Sequence, residues 1–142
     1  MVEETNAEIT SGLTFVREYD ATGLELEGDY DFGNGFRING NVTWIDAEIA
    51  SDATNAAVVG NTPRRQADMI YTISPEYSFG PGLIGASIVG SSDFYLQDSN
   101  ELKQDAYQLV HLYANYQLTD SVVVSLNVNN LTDEFVITES EE

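Results

Sequence analysis

Four acidic residues at every second position are the most prominent candidates for chemistry in this chain. Glu25, Glu27, Asp29 and Asp31 would share one face of a β-strand, because successive strand side chains point to opposite faces. Such a row could attract cationic ligands, or a hard cation could bridge carboxylates that otherwise repel one another. The same residues also suit the solvated face of an antiparallel sheet. No histidine is adjacent, and we predict a polar strand face without an assigned metal.

The other candidate residues are isolated from one another in the sequence. His111 is the only histidine and cysteine is absent, which argues against a transition-metal site. Arg64 and Arg65 could contact an anionic ligand or lipopolysaccharide, although loop solvation alone accounts for them. Three acidic residues of another polar stretch could hold calcium but lack the spacing of an EF-hand, namely Asp98, Glu101 and Asp105.

The sequence contains no pattern typical of a catalytic site. No Ser-His-Asp order, phosphate-binding loop or pair of catalytic carboxylates is present. We therefore expect no enzyme activity, no catalytic or metal-binding residues and no cofactor. The sequence does not identify ligand-binding residues.

At 142 residues the chain is long enough for one ordinary domain. The formal charge of -19 argues against a nucleic-acid partner, because phosphate contacts need a basic surface. A content of 42% hydrophobic and 11% aromatic residues argues against disorder. No apolar run approaches the roughly 20 residues of a transmembrane helix, and the acidic first residues do not form a signal peptide.

Alternation of apolar and polar residues predicts strands along most of the chain. The predicted strands are Gly23–Phe32, Phe36 to about Asp46, Met69–Phe79, Leu83–Tyr95, Ala106–Leu118 and Val122–Asn129, with Ile9–Tyr19 as a weaker candidate. Ile45 and Ala47 break the alternation, which indicates a strand end or a bulge. Pro75 conflicts with a central strand because it has no N–H to donate. We predict an all-β antiparallel meander of six or seven strands without a helix.

Short turns and long polar connections alternate between these strands. The short turns are Gly33–Gly35, Gly80–Gly82 and Leu118–Ser121, and the long connections are Ala50–Ala67, Leu96–Asp105 and a stretch from Asn130. Tight turns at one end and larger loops at the other are typical of transmembrane β-barrels of the bacterial outer membrane. Aromatic girdles would then account for Trp44, Tyr71, Tyr77, Tyr95, Tyr107 and Tyr116.

A soluble β-sandwich or small ligand-binding β-barrel is an alternative that makes the opposite prediction for burial. In a membrane barrel the apolar strand faces should be exposed, whereas in a soluble barrel they should fill a closed interior. The residues that separate the two hypotheses are Leu24, Leu26, Val122, Val124, Leu126 and Val128.

Four motifs occur in a fixed order between Thr22 and Phe135. They are the strand Thr22-Gly23-Leu24-Glu25-Leu26-Glu27, the loop Gly60-Asn61-Thr62-Pro63, the strand Tyr107-Gln108-Leu109-Val110 with Tyr113 and Tyr116, and the element Asn129-Asn130-Leu131-Thr132-Asp133-Glu134-Phe135 near the C-terminus. In this order and spacing they resemble the C-terminal region of TonB-dependent outer-membrane receptors.

The resemblance implies the C-terminal part of a barrel of roughly 22 strands with a plugged lumen. Such receptors import scarce ligands such as ferric siderophores, cobalamin or oligosaccharides, with energy supplied through TonB. The implied partners are outer-membrane lipid, the rest of the barrel and plug, and TonB through segments without a counterpart here. Another outer-membrane barrel, such as a porin-like channel, remains the closest alternative.

The strand count predicts that residues 1–142 are a fragment of the receptor barrel domain without the plug domain. Six or seven strands cannot close a transmembrane barrel, because bacterial single-chain barrels begin at about 8 strands. An open sheet would expose unpaired backbone edges in lipid, which is not tolerated.

Overall fold

The chain folds into one main antiparallel sheet of seven strands. The computed structural model describes residues 2–10 and 13–136, and the side chains from residue 16 onward. The sheet consists of β1 (Val2–Thr10), β2 (Leu13–Asp31), β3 (Phe36–Asp52), β4 (Met69–Phe79), β5 (Gly82–Ser91), β8 (Tyr107–Thr119) and β9 (Val122–Val128). A separate hairpin consists of β6 (Phe94–Tyr95) and β7 (Lys103–Gln104), and a short 3-10 helix covers Ala56–Val58.

The strand order confirms the predicted meander. Every strand of the main sheet pairs with its neighbours along the chain, in the order β1-β2-β3-β4-β5-β8-β9. Apart from the 3-10 helix, no helix is found among the described residues, and none of them forms a helix long and apolar enough to cross a membrane.

The short turns all lie at one end of the sheet, which we call the turn end. Gly33 and Gly35 adopt φ values of 74° and 89°, and Gly80 adopts 46°, a region that glycine enters without steric cost. The Asp31 carboxylate also accepts a hydrogen bond of 2.8 Å from the Gly33 amide. The connections 53–68 and 92–106 lie at the opposite end, which we call the loop end.

Three strand predictions were wrong at the loop end. The predicted strand Leu83–Tyr95 spans two strands of different sheets, since β5 ends at Ser91 and Phe94–Tyr95 belongs to the separate hairpin. The weak strand Ile9–Tyr19 spans two strands, because β1 ends at Thr10 and β2 starts at Leu13; residues 11 and 12 lie outside the described part. The break at Ile45 is neither a strand end nor a bulge, since Ile45 still pairs with Gly23 and β3 continues to Asp52. The bulge lies further on, at Ala50, where Tyr19 pairs with Ile49 and Glu18 pairs with Ser51.

The register places most of the apolar side chains of the long strands on one face of the sheet. Leu24 lies opposite Trp44, and Trp44 lies opposite Met69, so the three share this apolar face. The residues that separate the two hypotheses are exposed here: Leu24 at 57%, Leu26 at 53%, Val124 at 51% and Leu126 at 62%. Val122 is exposed as well, and only Val128 is half-buried.

Aromatic rings mark both ends of the apolar face. At the turn end, Tyr30 contacts Phe32 with ring centroids 4.7 Å apart, Phe32 contacts Phe36 at 5.1 Å, and Tyr77 stacks on Phe79 at 5.9 Å. At the other end of this face, Trp44 of β3 pairs with Met69 of β4, and Val42 pairs with Tyr71. Trp44 and Tyr71 therefore lie on the same face in two successive same-face pairs. Two of the predicted girdle residues lie elsewhere: Tyr95 belongs to the small hairpin, and Tyr107 pairs with Ser91 on the opposite, polar face.

Pro75 is accommodated without a change of register. On one side it pairs with Ile38 of β3. On the other side the ladder between β4 and β5 is interrupted, since Ile73 pairs with Ile88 and the next pair is Glu76 with Gly85. The missing proline N–H therefore interrupts one ladder, while the alternation of faces is kept.

Two tyrosine side chains extend over a glycine of β5, and each forms a hydrogen bond with a residue of the strand on the far side. On the polar face, the Tyr113 hydroxyl donates to Glu76 Oε2 at 3.0 Å, and its ring occupies the space above Gly85. On the apolar face, the Tyr71 ring lies above Gly90, and its hydroxyl accepts a hydrogen bond of 2.7 Å from Gln108 Nε2. These bridges tie β4, β5 and β8 together on both faces, and they give polar Gln108 a partner on the apolar side.

Substitution of Gly85 by alanine should destabilise the sheet, whereas the same change at Gly28 should not. A Cβ at Gly85 would overlap the Tyr113 ring, but a Cβ at Gly28 would meet nothing within 4 Å. Overpacking of this kind costs about 1–3 kcal/mol. We expect the protein with Gly85→Ala to unfold at a lower temperature than the unmodified protein in a heat-dependent gel-mobility assay. Equal unfolding temperatures for Gly85→Ala and Gly28→Ala would contradict the bridge.

Candidate functional site

The loop end carries a cluster of charged residues built around Arg17. β2 and β3 contain 19 and 17 residues, well beyond the 9–11 that a membrane-crossing strand needs, so their loop-end parts extend past the apolar face. The bulge at Ala50 shifts the side-chain alternation of β3 by one residue. Asp52 is thereby paired with Arg17 and shares its face, which an unbulged strand would not allow.

The Arg17 guanidinium bonds two carboxylates from different parts of the chain. Its Nε donates to Asp52 Oδ2 at 2.8 Å and its Nη2 lies 2.6 Å from the same oxygen. Its Nη1 donates to Asp98 Oδ2 at 2.6 Å. The side chains of Asp52 and Asp98 are only 3% and 13% exposed, so both charges depend on Arg17 as a partner.

Asp52 is held in the ionised form by further donors. Its Oδ1 accepts hydrogen bonds from the Thr54 hydroxyl at 2.7 Å, the Thr54 amide at 2.8 Å and the Asn55 amide at 2.9 Å. The Thr54 hydroxyl, followed by the two amides and Arg17, lowers the Asp52 pKa well below its usual range, against the opposing effect of desolvation. The carboxylate therefore stays charged at neutral pH and remains available to Arg17.

The two connections at the loop end are joined by reciprocal hydrogen bonds. We call residues 53–68 the first outer loop and residues 92–106 the second outer loop. The Asn61 side chain donates to the Asp98 carbonyl at 2.8 Å, and the Arg64 amide donates to Asp98 Oδ1 at 2.9 Å. The Thr62 amide donates to Asn100 Oδ1 at 3.0 Å, and Asn100 Nδ2 donates back to the Thr62 carbonyl at 2.8 Å. The Gly60–Pro63 motif is thus the segment through which the first loop bonds the second.

A small apolar cluster lies at this end of the sheet. The buried hydrophobic residues of the described part are Ile49, Val58, Ala67 and Leu96, with exposures of 0%, 4%, 5% and 2%. The first outer loop also pairs with β3, since the Ile49 amide donates to the Asn61 carbonyl at 2.9 Å and the Gly60 amide donates to the Ile49 carbonyl at 2.8 Å. The outer loops are therefore a folded unit attached to β3, and Leu96–Asp105 is more than a polar loop.

The acidic candidates are not brought together. Glu25, Glu27, Asp29 and Asp31 lie in the open on the polar face, where Arg37 is 3.9 Å from Asp29 and 3.8 Å from Asp31. Asp98 is bonded to Arg17, while Glu101 and Asp105 are exposed. The described part contains no group of three or more His, Asp or Glu side chains arranged to hold a metal ion.

His111 holds the C-terminal turn in place. Its Nδ1 accepts a hydrogen bond of 3.1 Å from the Asn130 amide, and the Val110 carbonyl accepts one of 2.8 Å from the Leu131 amide. Within the turn, Asn130 Oδ1 and Nδ2 bond the amide and carbonyl of Glu134, each at 3.0 Å. The Asn129–Phe135 motif and the lone histidine thus form one structural element.

Arg17 was not singled out from the sequence. It lies in the segment that gave only a weak strand pattern, and its partners are 35 and 81 positions away along the chain. The signal that was present is compositional, since Arg17 is one of only five basic residues in a strongly acidic chain. Arg64 and Arg65 lie in the first outer loop as predicted, and the amide of Arg65 donates to the Tyr95 carbonyl at 2.7 Å.

Comparison with known proteins identifies relatives of this sheet. Residues 9–131 match the family described as "TonB dependent receptor-like, beta-barrel". The pesticin receptor of Yersinia enterocolitica is 30% identical over 118 residues, which cover 80% of this chain and 17% of that protein. The chain therefore spans about a sixth of the length of the curated relatives it matches.

Two solved structures share the fold. The siderophore receptor PiuA from Acinetobacter baumannii matches with a TM-score of 0.77 at 23% identity, over 87% of this chain and 19% of that one. The ferric yersiniabactin uptake receptor FyuA from Yersinia pestis matches with a TM-score of 0.78 at 20% identity, over 99% of this chain and 26% of that one. At these identities the structural matches concern the fold, and they agree with the family match.

Loss of Arg17 should open the outer loops, whereas loss of Arg37 should not. Removing one partner from a buried charge cluster leaves uncompensated carboxylates, but the Arg37 pairs are long and exposed. We expect trypsin to cleave Arg17→Met roughly tenfold faster than the unmodified protein after Arg64, Arg65 or Lys103. Arg37→Met is the matched control, and equal cleavage rates in the two variants would show that Arg17 does not hold the loops.

Proposed function

We propose an outer-membrane transport function for this chain because it belongs to the TonB-dependent receptor-like β-barrel family. In this proposal the sheet is a segment of the wall of a receptor barrel in the outer membrane of a Gram-negative bacterium. The apolar face contacts lipid, the polar face lines the lumen, and the outer loops face the outside of the cell. The function is that of a transporter and not of an enzyme.

The exposed apolar face is the observation that carries this proposal. Phe36 and Trp44, at its two aromatic ends, are eight positions apart on β3, which is about 27 Å along a strand at about 3.4 Å per residue. A strand tilt of about 40° reduces this to about 21 Å, close to the roughly 25 Å apolar band of outer-membrane barrels. A lipid-facing surface between two aromatic girdles accounts for the exposure of the apolar face, for its height and for the aromatic rings at its two ends.

We propose that residues 1–142 are one part of the barrel domain and that the plug belongs to another part of the receptor. β1 and β9 each pair with a single strand among the described residues, so each offers one open edge to further barrel strands. The lumen-facing row Glu25–Asp31 would then line the barrel interior. TonB would act through the plug-bearing part of the receptor.

A ferric siderophore is the proposed ligand class, in preference to cobalamin or an oligosaccharide. The support is that two structural relatives are named as siderophore or ferric yersiniabactin receptors. In this proposal the outer loops would capture the ferric siderophore. The plug would then rearrange, and the ligand would pass along the lumen. This chain would contribute the wall and two of the loops that meet the ligand first.

The isolated chain should not behave as a soluble protein. Its apolar face is exposed and its two edge strands have free sides, which favours association between copies. We expect residues 1–142 alone to aggregate in detergent-free buffer, as measured by size-exclusion chromatography with light scattering. A monodisperse monomer that unfolds cooperatively would contradict the proposal that the chain is part of a larger barrel.

The transport function can be tested with the reading frame that contains this chain. In a Gram-negative host lacking its own siderophore receptors, we expect its expression to restore uptake of radioactive iron from ferric siderophores. Uptake should disappear when tonB is deleted, because the family imports against a gradient with energy supplied through TonB. Uptake of cobalamin or an oligosaccharide alone would correct the ligand class. Passage of small solutes independent of TonB would instead indicate a porin-like channel.

A further inference from the structure

The outer loops of this chain differ from ordinary surface loops in how they are stabilised. Mobile loops have few buried apolar contacts and their hydrogen bonds are exposed. Here Leu96 of the second loop and Val58 of the first are 2% and 4% exposed. Both carboxylates bonded to Arg17 are also largely buried, at 3% and 13% exposure.

We infer that the two outer loops are one rigid body, clamped to the barrel wall by Arg17, and that they do not move relative to each other when ligand binds. The first half of this inference rests on the geometry of the loops alone. The second half rests on the proposed transport function. Arg17 is a positioning residue in this account, because it fixes the loops and is not assigned a contact with the ligand.

The clamp connects three separate elements through one side chain. Arg17 belongs to β2, Asp52 ends β3, and Asp98 lies in the second outer loop. Asp52 in turn accepts from the amides of Thr54 and Asn55 at the start of the first loop. Any displacement of either loop relative to the strands would therefore break a bond to an ionised, poorly solvated group.

The contact between the loops has the same character. Separating them would break the paired bonds between Thr62 and Asn100 and both bonds that the first loop makes to Asp98. Lys103, a basic side chain of the second loop, is already paired with Asp93 and lies 5.8 Å from the Tyr95 ring centroid. A second arrangement of the two loops would separate the Asp98 carboxylate from Arg17 and would therefore be less stable. A conformational switch, by contrast, needs two arrangements of similar stability. The geometry therefore favours a single arrangement that exists before ligand arrives.

Distance measurements between the loops test this inference. Ala57 of the first loop and Ser99 of the second are exposed, and this chain contains no cysteine, so Ala57→Cys and Ser99→Cys provide a pair for spin labels. The labels would be placed in the complete receptor in lipid, with cysteines elsewhere in it replaced. We expect pulsed electron resonance to give one narrow distance distribution, unchanged by a saturating ferric siderophore that the receptor transports.

Two matched variants distinguish the loss of Arg17 from the loss of any other positive charge. Arg17→Met should broaden the distance distribution roughly twofold, because the loops lose their common anchor. Arg37→Met, which removes an arginine with long and exposed pairs, should leave the distribution unchanged. If Arg17→Met fails to assemble, Asn100→Ala removes the bonds to Thr62 without leaving a buried charge, and it should also broaden the distribution.

Three results would overturn the inference. The first is a broad distribution in the unmodified receptor, and the second is no broadening in either Arg17→Met or Asn100→Ala. The third is a ligand-dependent change in the mean distance larger than about 2 Å, the scale of loop rearrangement on binding. The measurements without ligand do not depend on transport, so a receptor that takes up no siderophore would contradict the proposed function while the rigid-body result still stands.

Discussion

The pairing register between neighbouring strands is the constraint on which the rest of this structure depends. Because side chains alternate between faces, a slip of one residue would move every apolar side chain of a strand to the polar side. Apart from the shift at Ala50, the register is kept from β2 to β8, even where the ladder is interrupted at Pro75. The tyrosine bridges over Gly85 and Gly90 fit only this register, since each glycine must lie directly opposite its tyrosine. The exposed apolar face is therefore the product of a register maintained across several strands.

The two shifts of register between described strands lie at the ends of the strands. The shift at Ala50 lies at the loop end of β3, and the shift between Gln117 and Thr119 lies beside the last short turn. Between them the strands that cross the apolar band pair without a shift. This distribution is physically reasonable, because a bulge within lipid would leave backbone groups without a partner, whereas a bulge near water can be solvated.

The sequence predicts the strands that carry the apolar face well and the loop end poorly. Period-two alternation is strong where one face is uniformly apolar, and turn positions are marked by glycine and proline, as at Gly33–Gly35 and Gly80–Pro81. Beyond Trp44 the apolar residues of β3 change face, from Val42 and Trp44 to Ile45 and Ile49, although the pairing continues. Local periodicity records that change as an interruption, because it cannot show that a distant loop covers the other face. Leu96 was assigned to a polar loop in the same way, although it is only 2% exposed, because no local alternation marks it as buried.

The clamp at Arg17 follows from the register as directly as the apolar face does. Without the extra residue at Ala50, Asp52 would lie on the opposite face from Arg17 and could not be its partner. Arg17 would then face Asp98 alone, and the loop start at Thr54 would lose its connection to β2. The inserted residue at Ala50 therefore places the Asp52 carboxylate on the same face as Arg17. The end of β3 can then anchor the two loops through that pair. The anchoring of both loops therefore depends on a backbone feature of β3 and not on the loop residues alone.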